Sequence, residues 1–323
     1  MDAVAVSGMN EKNDSALVRK PTNAVEKAAP GAKRILSGMI GDAIRLAKKT
    51  TSKDLSIAKT QLENWFQTGE KYFYGKGVPR DETEAAKWYR KAAEQNYAPA
   101  QNMLGFCYQF GLGVSQDFFE AVRWYHAAAE QNYAEAQYHL GGCYLNGDFL
   151  KGVEKDFVKA VTWYRKAAEQ NHAYAQFALG YRYYVGEGVK QDYVEAVKWY
   201  RKAADQGKAL ALNKLGNCYY EGEGVPQDYV EAAKCWRKAA EQNNAEAQYS
   251  LGGCYEQGQG VPQDVVEAYK FYKLATEQKS KTLQMEQYRK AAVENFRHIV
   301  TQMTAVEIAE GERRYREFNF SKA

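Results

Sequence analysis

Small and apolar residues recur along most of this chain at helical spacing, in two alternating patterns. In NAEAQYSLGGCYEQG, Ala245, Ala247, Leu251 and Tyr255 fall on one side of a helix, called A here. In YVEAAKCWRKAAEQ, Ala232, Cys235, Trp236, Ala239 and Ala240 form the stripe of a second amphipathic helix, B. Glycine pairs stand between the two: Gly75/Gly77, Gly111/Gly113, Gly186/Gly188, Gly222/Gly224 and Gly258/Gly260. Glycine takes a positive φ at little cost, so each pair ends helix A and turns the chain toward helix B.

The alternation has a fixed period. LGYRYYVGEGVKQDYVEAVKWYRKAADQG begins at Leu179, LGNCYYEGEGVPQDYVEAAKCWRKAAEQN at Leu215 and LGGCYEQGQGVPQDVVEAYKFYKLATEQK at Leu251. Six units follow, over 61–96, 97–132, 133–171, 172–207, 208–243 and 244–279; five have 36 residues and the third 39, with the extra residues in GDFLKG. One helix pair cannot bury its apolar face alone, so units at this period must stack. Aspartate recurs before helix B, as Asp81, Asp117, Asp156, Asp192, Asp228 and Asp264. Glutamate follows three residues later in five units, as Glu84, Glu120, Glu195, Glu231 and Glu267, with Lys159 in the third. That spacing predicts a capping box in its aspartate form. The tryptophans at helix B, Trp88, Trp124, Trp163, Trp199 and Trp236, read as core.

The pattern LGxxY…GxGV…D…A..WY.KAAEQ resembles the Sel-1-like repeat, a relative of the tetratricopeptide repeat. Leu179, Gly180, Tyr183, Ala196 and Tyr200 stand at the tetratricopeptide spacing, and the match covers 61–279. The resemblance implies an all-α fold: a right-handed α–α superhelical solenoid of six helix-pair repeats with terminal helical caps. It also implies a scaffold or adaptor for protein complexes, of a kind common in bacteria, that holds partner peptides in a concave groove lined by the A helices. Leu62, Asn64 and Thr68 in the first unit, and Cys235 in the fifth, depart from the pattern.

Within that frame the A-helix positions outside the repeat core become the candidate binding surface. They carry Tyr138, Phe177, Tyr181, Tyr184, Asn213, Asn217, Tyr220 and Tyr249. Aromatic side chains anchor partners, and amides grip extended backbone; packing against neighbouring A helices is the alternative. A basic stripe on helix B, which includes Arg201 and Lys202, reads as a solvated outer face whose replacement should do little to partner binding, with an anionic partner as the alternative.

Composition removes several other functions. Residues 1–60 hold 11 Lys and Arg against 6 Asp and Glu, while the remaining 263 hold 33 against 34. A neutral body argues against a nucleic-acid binder. Mean hydropathy is −0.65, and neither a membrane span nor a secretory leader is visible, which points to the cytoplasm. Cys107, Cys143, Cys218 and Cys254 share one unit position, too far apart in stacked helices to pair. The secreted cysteine-rich relatives of the family, for which small-molecule or cell-wall-fragment chemistry is the alternative function, place their cysteines elsewhere. His126, His139, His172 and His298 show no metal-ligand or triad spacing. No enzyme activity, cofactor or metal is therefore expected, and the expected partner is a protein or peptide.

The ends differ from the middle. Residues 1–29 are polar and read as a disordered tail. Residues 30–60 hold a basic amphipathic helix over 30–52 and a linker, which could cap the solenoid, dock a partner or touch an anionic membrane surface. Residues 280–323 read as C-terminal capping helices, with Tyr288, Ala292, Phe296, Ile299 and Met303 on one face and a capping box at Thr304 and Glu307.

Overall fold

The computed structural model describes residues 59–147, 154–277 and 283–320. Two compact units divide the chain, 1–68 and 69–323, and the stacked helix pairs belong to the second. The expected tail over 1–29, the basic helix over 30–52 and most of the GDFLKG insertion lie outside the described residues. Among the described residues every regular element is a helix. In chain order these are α1 (59–74), α2 (Glu82–Ala93), α3 (Ala98–Phe110), α4 (Phe118–Glu130), α5 (Ala134–Leu145) and α6 (Phe157–Glu169). They continue as α7 (Ala173–Val185), α8 (Tyr193–Asp205), α9 (Ala209–Glu221), α10 (Tyr229–Glu241), α11 (Ala245–Gln257) and α12 (Val265–Glu277), then α13 (Leu283–Gln302) and α14 (Ala305–Phe320). From α3 on, each A helix packs against its own B helix, and that B helix against the next element in the chain, which makes an all-α solenoid.

The glycine after each helix-A leucine is a steric requirement. A Cβ on Gly105, Gly141, Gly180, Gly216 or Gly252 would come within 2.6 to 2.9 Å of a helix-B ring, namely Tyr125, Tyr164, Tyr200, Trp236 or Tyr272. Small residues let the two helices close to the thickness of that ring. Of the tryptophans expected in the core, Trp124, Trp163 and Trp236 are buried and Trp88 and Trp199 half-buried, while the aromatics facing these glycines include the fully buried Tyr125 and Tyr200. Lys91 and Lys202 lie over the Trp88 and Trp199 rings, at 5.0 and 4.1 Å.

The aspartate caps form, but the boxes do not close. Asp81 and Asp192 each accept from the backbone N–H three residues on, at 2.9 Å. The cap's own N–H, which a box would satisfy with the glutamate, already donates to a helix-A tyrosine carbonyl. Asp192 N reaches Tyr183 O at 3.0 Å, and Asp228 N reaches Tyr219 O at 2.8 Å. The glutamates are released and pair forward with a basic residue, as in Glu195–Lys198 and Glu231–Lys234. Only Thr304 and Glu307 make the reciprocal box among the described residues, with Thr304 N donating to Glu307 Oε2 at 2.8 Å and Glu307 N to Thr304 Oγ1 at 3.3 Å.

Two sets of polar contacts tie successive repeats together, and neither is visible in the periodicity. The first is a row of buried amides. Gln137 donates to Ala129 O and Asn132 Oδ1, at 3.2 and 3.1 Å, and accepts from Gln170 Nε2 at 2.7 Å. Gln101 with Asn96 and Gln131, and Gln176 with Asn171 and Gln206, repeat the arrangement. Between the fourth and fifth repeats the row is interrupted, because Gly207 and Leu212 stand where asparagine and glutamine stand elsewhere. The second set gives the basic stripe a further role. Arg90, Arg165, Arg201 and Arg237 donate to the hydroxyls of Tyr108, Tyr183, Tyr219 and Tyr255 on the next A helix, at 2.6 to 2.9 Å. Arg201 and Lys202 are exposed, as expected of that face, but Arg201 also links two repeats and Lys202 covers Trp199.

The C-terminal helices pack on the last repeat. Ala292 and Ile299 of α13 and Met303 just after it are buried, as expected of that face, and the Phe296 ring meets Tyr269 of α12 at 4.8 Å. Gly311 of α14 faces the Tyr269 ring, where a Cβ would come within 2.6 Å, the same device used inside the repeats. Arg314 bonds Asp264 and Glu267 at 3.1 and 3.0 Å, and Glu312 accepts from Tyr269 OH at 2.6 Å and also pairs with Lys273.

Candidate functional site

Of the eight residues expected on the A-helix face, Tyr184, Asn217, Tyr220 and Tyr249 line one cavity of about 390 Å³. Tyr138, Phe177 and Tyr181 stand outside it. Tyr138 stacks on His172 at 5.0 Å, Phe177 packs on Tyr200 at 5.9 Å, and Arg182 lies over Tyr181 at 4.7 Å. These three rings are half-buried against their neighbours, the alternative to partner binding at such positions.

Asn213 corrects the expectation outright. It is only 1% exposed, and both its amide atoms are buried without a hydrogen-bond partner. It cannot offer an amide to a partner. Asn102, at the same repeat position, is also buried. An unsatisfied buried amide costs about 1–3 kcal/mol. Asn213→Leu is accordingly expected to raise stability by about 1 kcal/mol in urea denaturation, whereas a loss of that size would show that the amide has a partner.

Helices α7, α9, α10, α11, α12 and α13 all contribute side chains to the cavity. Asn217 has a fixed orientation: its Oδ1 accepts from Trp236 Nε1 at 3.0 Å, and its Nδ2 donates to Glu246 Oε1 at 3.1 Å. Glu246 also accepts from Lys214 Nζ at 3.0 and 3.3 Å and from Tyr288 OH at 3.0 Å. Burial alone would push its carboxyl up; the Lys214 charge and these hydrogen bonds outweigh that and hold it below the usual range. Tyr184 OH donates to Glu223 at 2.7 Å, and desolvation followed by that bond pushes the phenol up. Tyr249 meets Tyr272 and Tyr288 at 5.8 and 6.2 Å and accepts from Asn295 at 3.4 Å. The C-terminal helix α13 thus supplies Tyr288 and Asn295 as a wall of the cavity, a contribution that periodicity could not reveal.

A second cluster also escaped the sequence reading. Glu135 accepts from His172 Nε2 at 2.9 Å and meets His139 Nε2 at 3.4 Å. The hydrogen bonds with His139 and His172 hold its carboxyl well below the ordinary range. His172 Nδ1 accepts from Ala175 N at 3.1 Å, so the ring caps α7 while its other nitrogen joins the neighbouring repeat. Among the described residues no group of three His, Cys, Asp or Glu is arranged to hold a metal. The five cysteines are unpaired and buried, and desolvation pushes the Cys107 and Cys218 thiols up to about 12.

Comparison with known proteins follows the same repeat boundaries within a few residues. The Sel1 repeat matches residues 66–97, 98–133, 134–172, 173–208, 209–244 and 245–280. The chain belongs to the Sel1 repeat family. A Sel1 repeat protein from Oxalobacter formigenes is 37% identical over 67% of this chain and 86% of its own, with a TM-score of 0.60. A protective antigen of uropathogenic Escherichia coli with the same repeat fold is 30% identical over 81% of this chain, with a TM-score of 0.52; the match spans 62% of the antigen. No curated protein matches the chain. Sel1 repeats form a solenoid of a typically non-catalytic kind, commonly used for protein interaction. Among the described residues no helix is long and apolar enough to cross a membrane.

Proposed function

We propose that this Sel1 repeat protein is a non-enzymatic cytoplasmic scaffold that takes an extended segment of a partner protein against its A-helix face. The observation that carries the reading is the cavity shared by Tyr184, Asn217, Tyr220 and Tyr249. It combines aromatic rings with an amide whose orientation is set before any partner arrives, and preorganised groups lose less entropy on binding. The five unpaired thiols fit a reducing compartment.

A random peptide library selected on the full chain tests this. Tyr220→Ala is expected to weaken the selected peptides by more than about 1 kcal/mol, the size of a hot-spot loss. Lys198→Ala is the control, since that ammonium pairs with Glu195 on its own helix and is exposed. Peptides that bind Tyr220→Ala unchanged and lose affinity for Lys198→Ala would place the site on the B helices instead.

A further inference from the structure

The walls of the cavity commit their protons in one direction. Tyr184 OH donates to Glu223 at 2.7 Å, Tyr272 OH to Glu256 at 2.6 Å and Tyr288 OH to Glu246 at 3.0 Å. A carboxylate can only accept, so each of these phenol oxygens is left with lone pairs alone. The charged donor and two of the amide donors are committed as well. Lys214 lies on both oxygens of Glu246, Asn217 Nδ2 donates to the same carboxylate, and Asn295 Nδ2 donates to Tyr272 OH at 3.2 Å. The exposed Glu221 adds a carboxylate at the rim. Three carboxylates are bonded to this network, a fourth lines the mouth, and Lys214 is its one ammonium among the described residues. The remaining wall is made of aromatic rings, including Tyr220, Trp236 and Tyr249, whose faces carry partial negative charge. Neutral donors remain on Ser250, Gln257 and Gln259, but the one cation is already paired with Glu246, so an anion entering here would meet no free positive charge.

We propose that the cavity binds the cationic head of a lysine or arginine side chain carried by the partner segment. This rests on the groove reading and adds the chemistry the groove selects. Aromatic faces and carboxylates attract a desolvated ammonium or guanidinium together. At about 390 Å³ the space also admits the aliphatic stem and adjoining backbone, which a free amine would leave unfilled.

Calorimetric titration of the full chain with five short probes tests the proposal. Four are blocked pentapeptides, glycine throughout except for a central arginine, lysine, citrulline or glutamate. The fifth is agmatine, a guanidinium with no peptide. The arginine and lysine peptides are expected to bind at least about tenfold more tightly than the citrulline peptide, which differs from arginine in charge at nearly constant shape. Glu221→Gln, at the exposed rim, is expected to weaken the arginine peptide at least about threefold, and Glu246→Gln to weaken it further. If Glu246→Gln fails to fold, Glu221→Gln still decides. Equal binding of the arginine and citrulline peptides, preference for the glutamate peptide, or no binding of either basic peptide overturns the proposal. Agmatine binding as tightly as the arginine peptide overturns the assignment to a partner side chain. Library peptides that lack lysine and arginine yet depend on Tyr220 would sink this proposal and leave the groove reading standing.

Discussion

Gly224→Ala is expected to lower stability by more than about 3 kcal/mol in urea denaturation, and Gly207→Ala by only about 1 kcal/mol. The two glycines have nearly the same backbone, with φ of 73° and 75°. The left-handed conformation alone costs an alanine roughly 1–2 kcal/mol. Space separates them. A Cβ on Gly207 meets nothing within 4 Å, whereas on Gly224 it would lie 2.2 Å from Tyr193 O. That oxygen belongs to the first turn of α8 in the preceding repeat, and backbone cannot rotate aside as a side chain can. The loop glycines at 113, 188, 224 and 260 all touch the preceding repeat in this way. Equal losses for the two variants would show that only φ matters and that the loop is not a packing element.

Gln137→Leu should cost about 3 kcal/mol, although the shape is nearly kept. Gln137 is 1% exposed and holds the Ala129 carbonyl, Asn132 and Gln170 at once. Leucine deletes those three hydrogen bonds at once, although the Ala129 carbonyl keeps the Asn132 N–H at 3.0 Å. Gln242→Leu is the matching control. It occupies the position of Gln170 in the repeat where the row is interrupted, and it reaches the Lys238 carbonyl at 3.4 Å. Its replacement should change stability by less than about 0.5 kcal/mol. Similar denaturation midpoints for the two variants would mean that the amide row contributes no net stability.

The repeat, its helices and its turns were legible because they depend on residue type at a fixed period. Ala247 and Leu251 are buried, and the loop glycines take positive φ, as their spacing requires. Periodicity places a residue on a helix but does not say what faces it from the next one. Arg201 looks like any exposed basic residue until the Tyr219 hydroxyl is seen 2.9 Å away. Glu195 looks like half of a capping box until the Tyr183 carbonyl is found on the N–H it would have served. The candidate site divides in the same way. Asn217 and Asn213 are four residues apart on one helix and read alike, yet one lines the cavity and the other is sealed from it. The wall supplied by Tyr288 and Asn295 comes from a helix outside the repeats, whose docking no internal symmetry encodes.

The interruption at Gly207 and Leu212 has a mechanical consequence. In a stacked array, strain is shared through nearest-neighbour joints, and the weakest joint gives way first. The joint between α8 and α9 lacks the amide rung that its three predecessors have, and apolar packing takes over along that line, with Leu212 in one buried cluster with Ala203 and Ala204. Tyr184 lies on one side of that line and Glu223 on the other, and the bond between them crosses it at 2.7 Å. Asn217, Tyr220 and Tyr249 lie on the far side with Glu223. A guest in the cavity touches both blocks and so splints that joint. Occupancy would then be felt as stiffness along the whole array, well beyond the few residues that make contact.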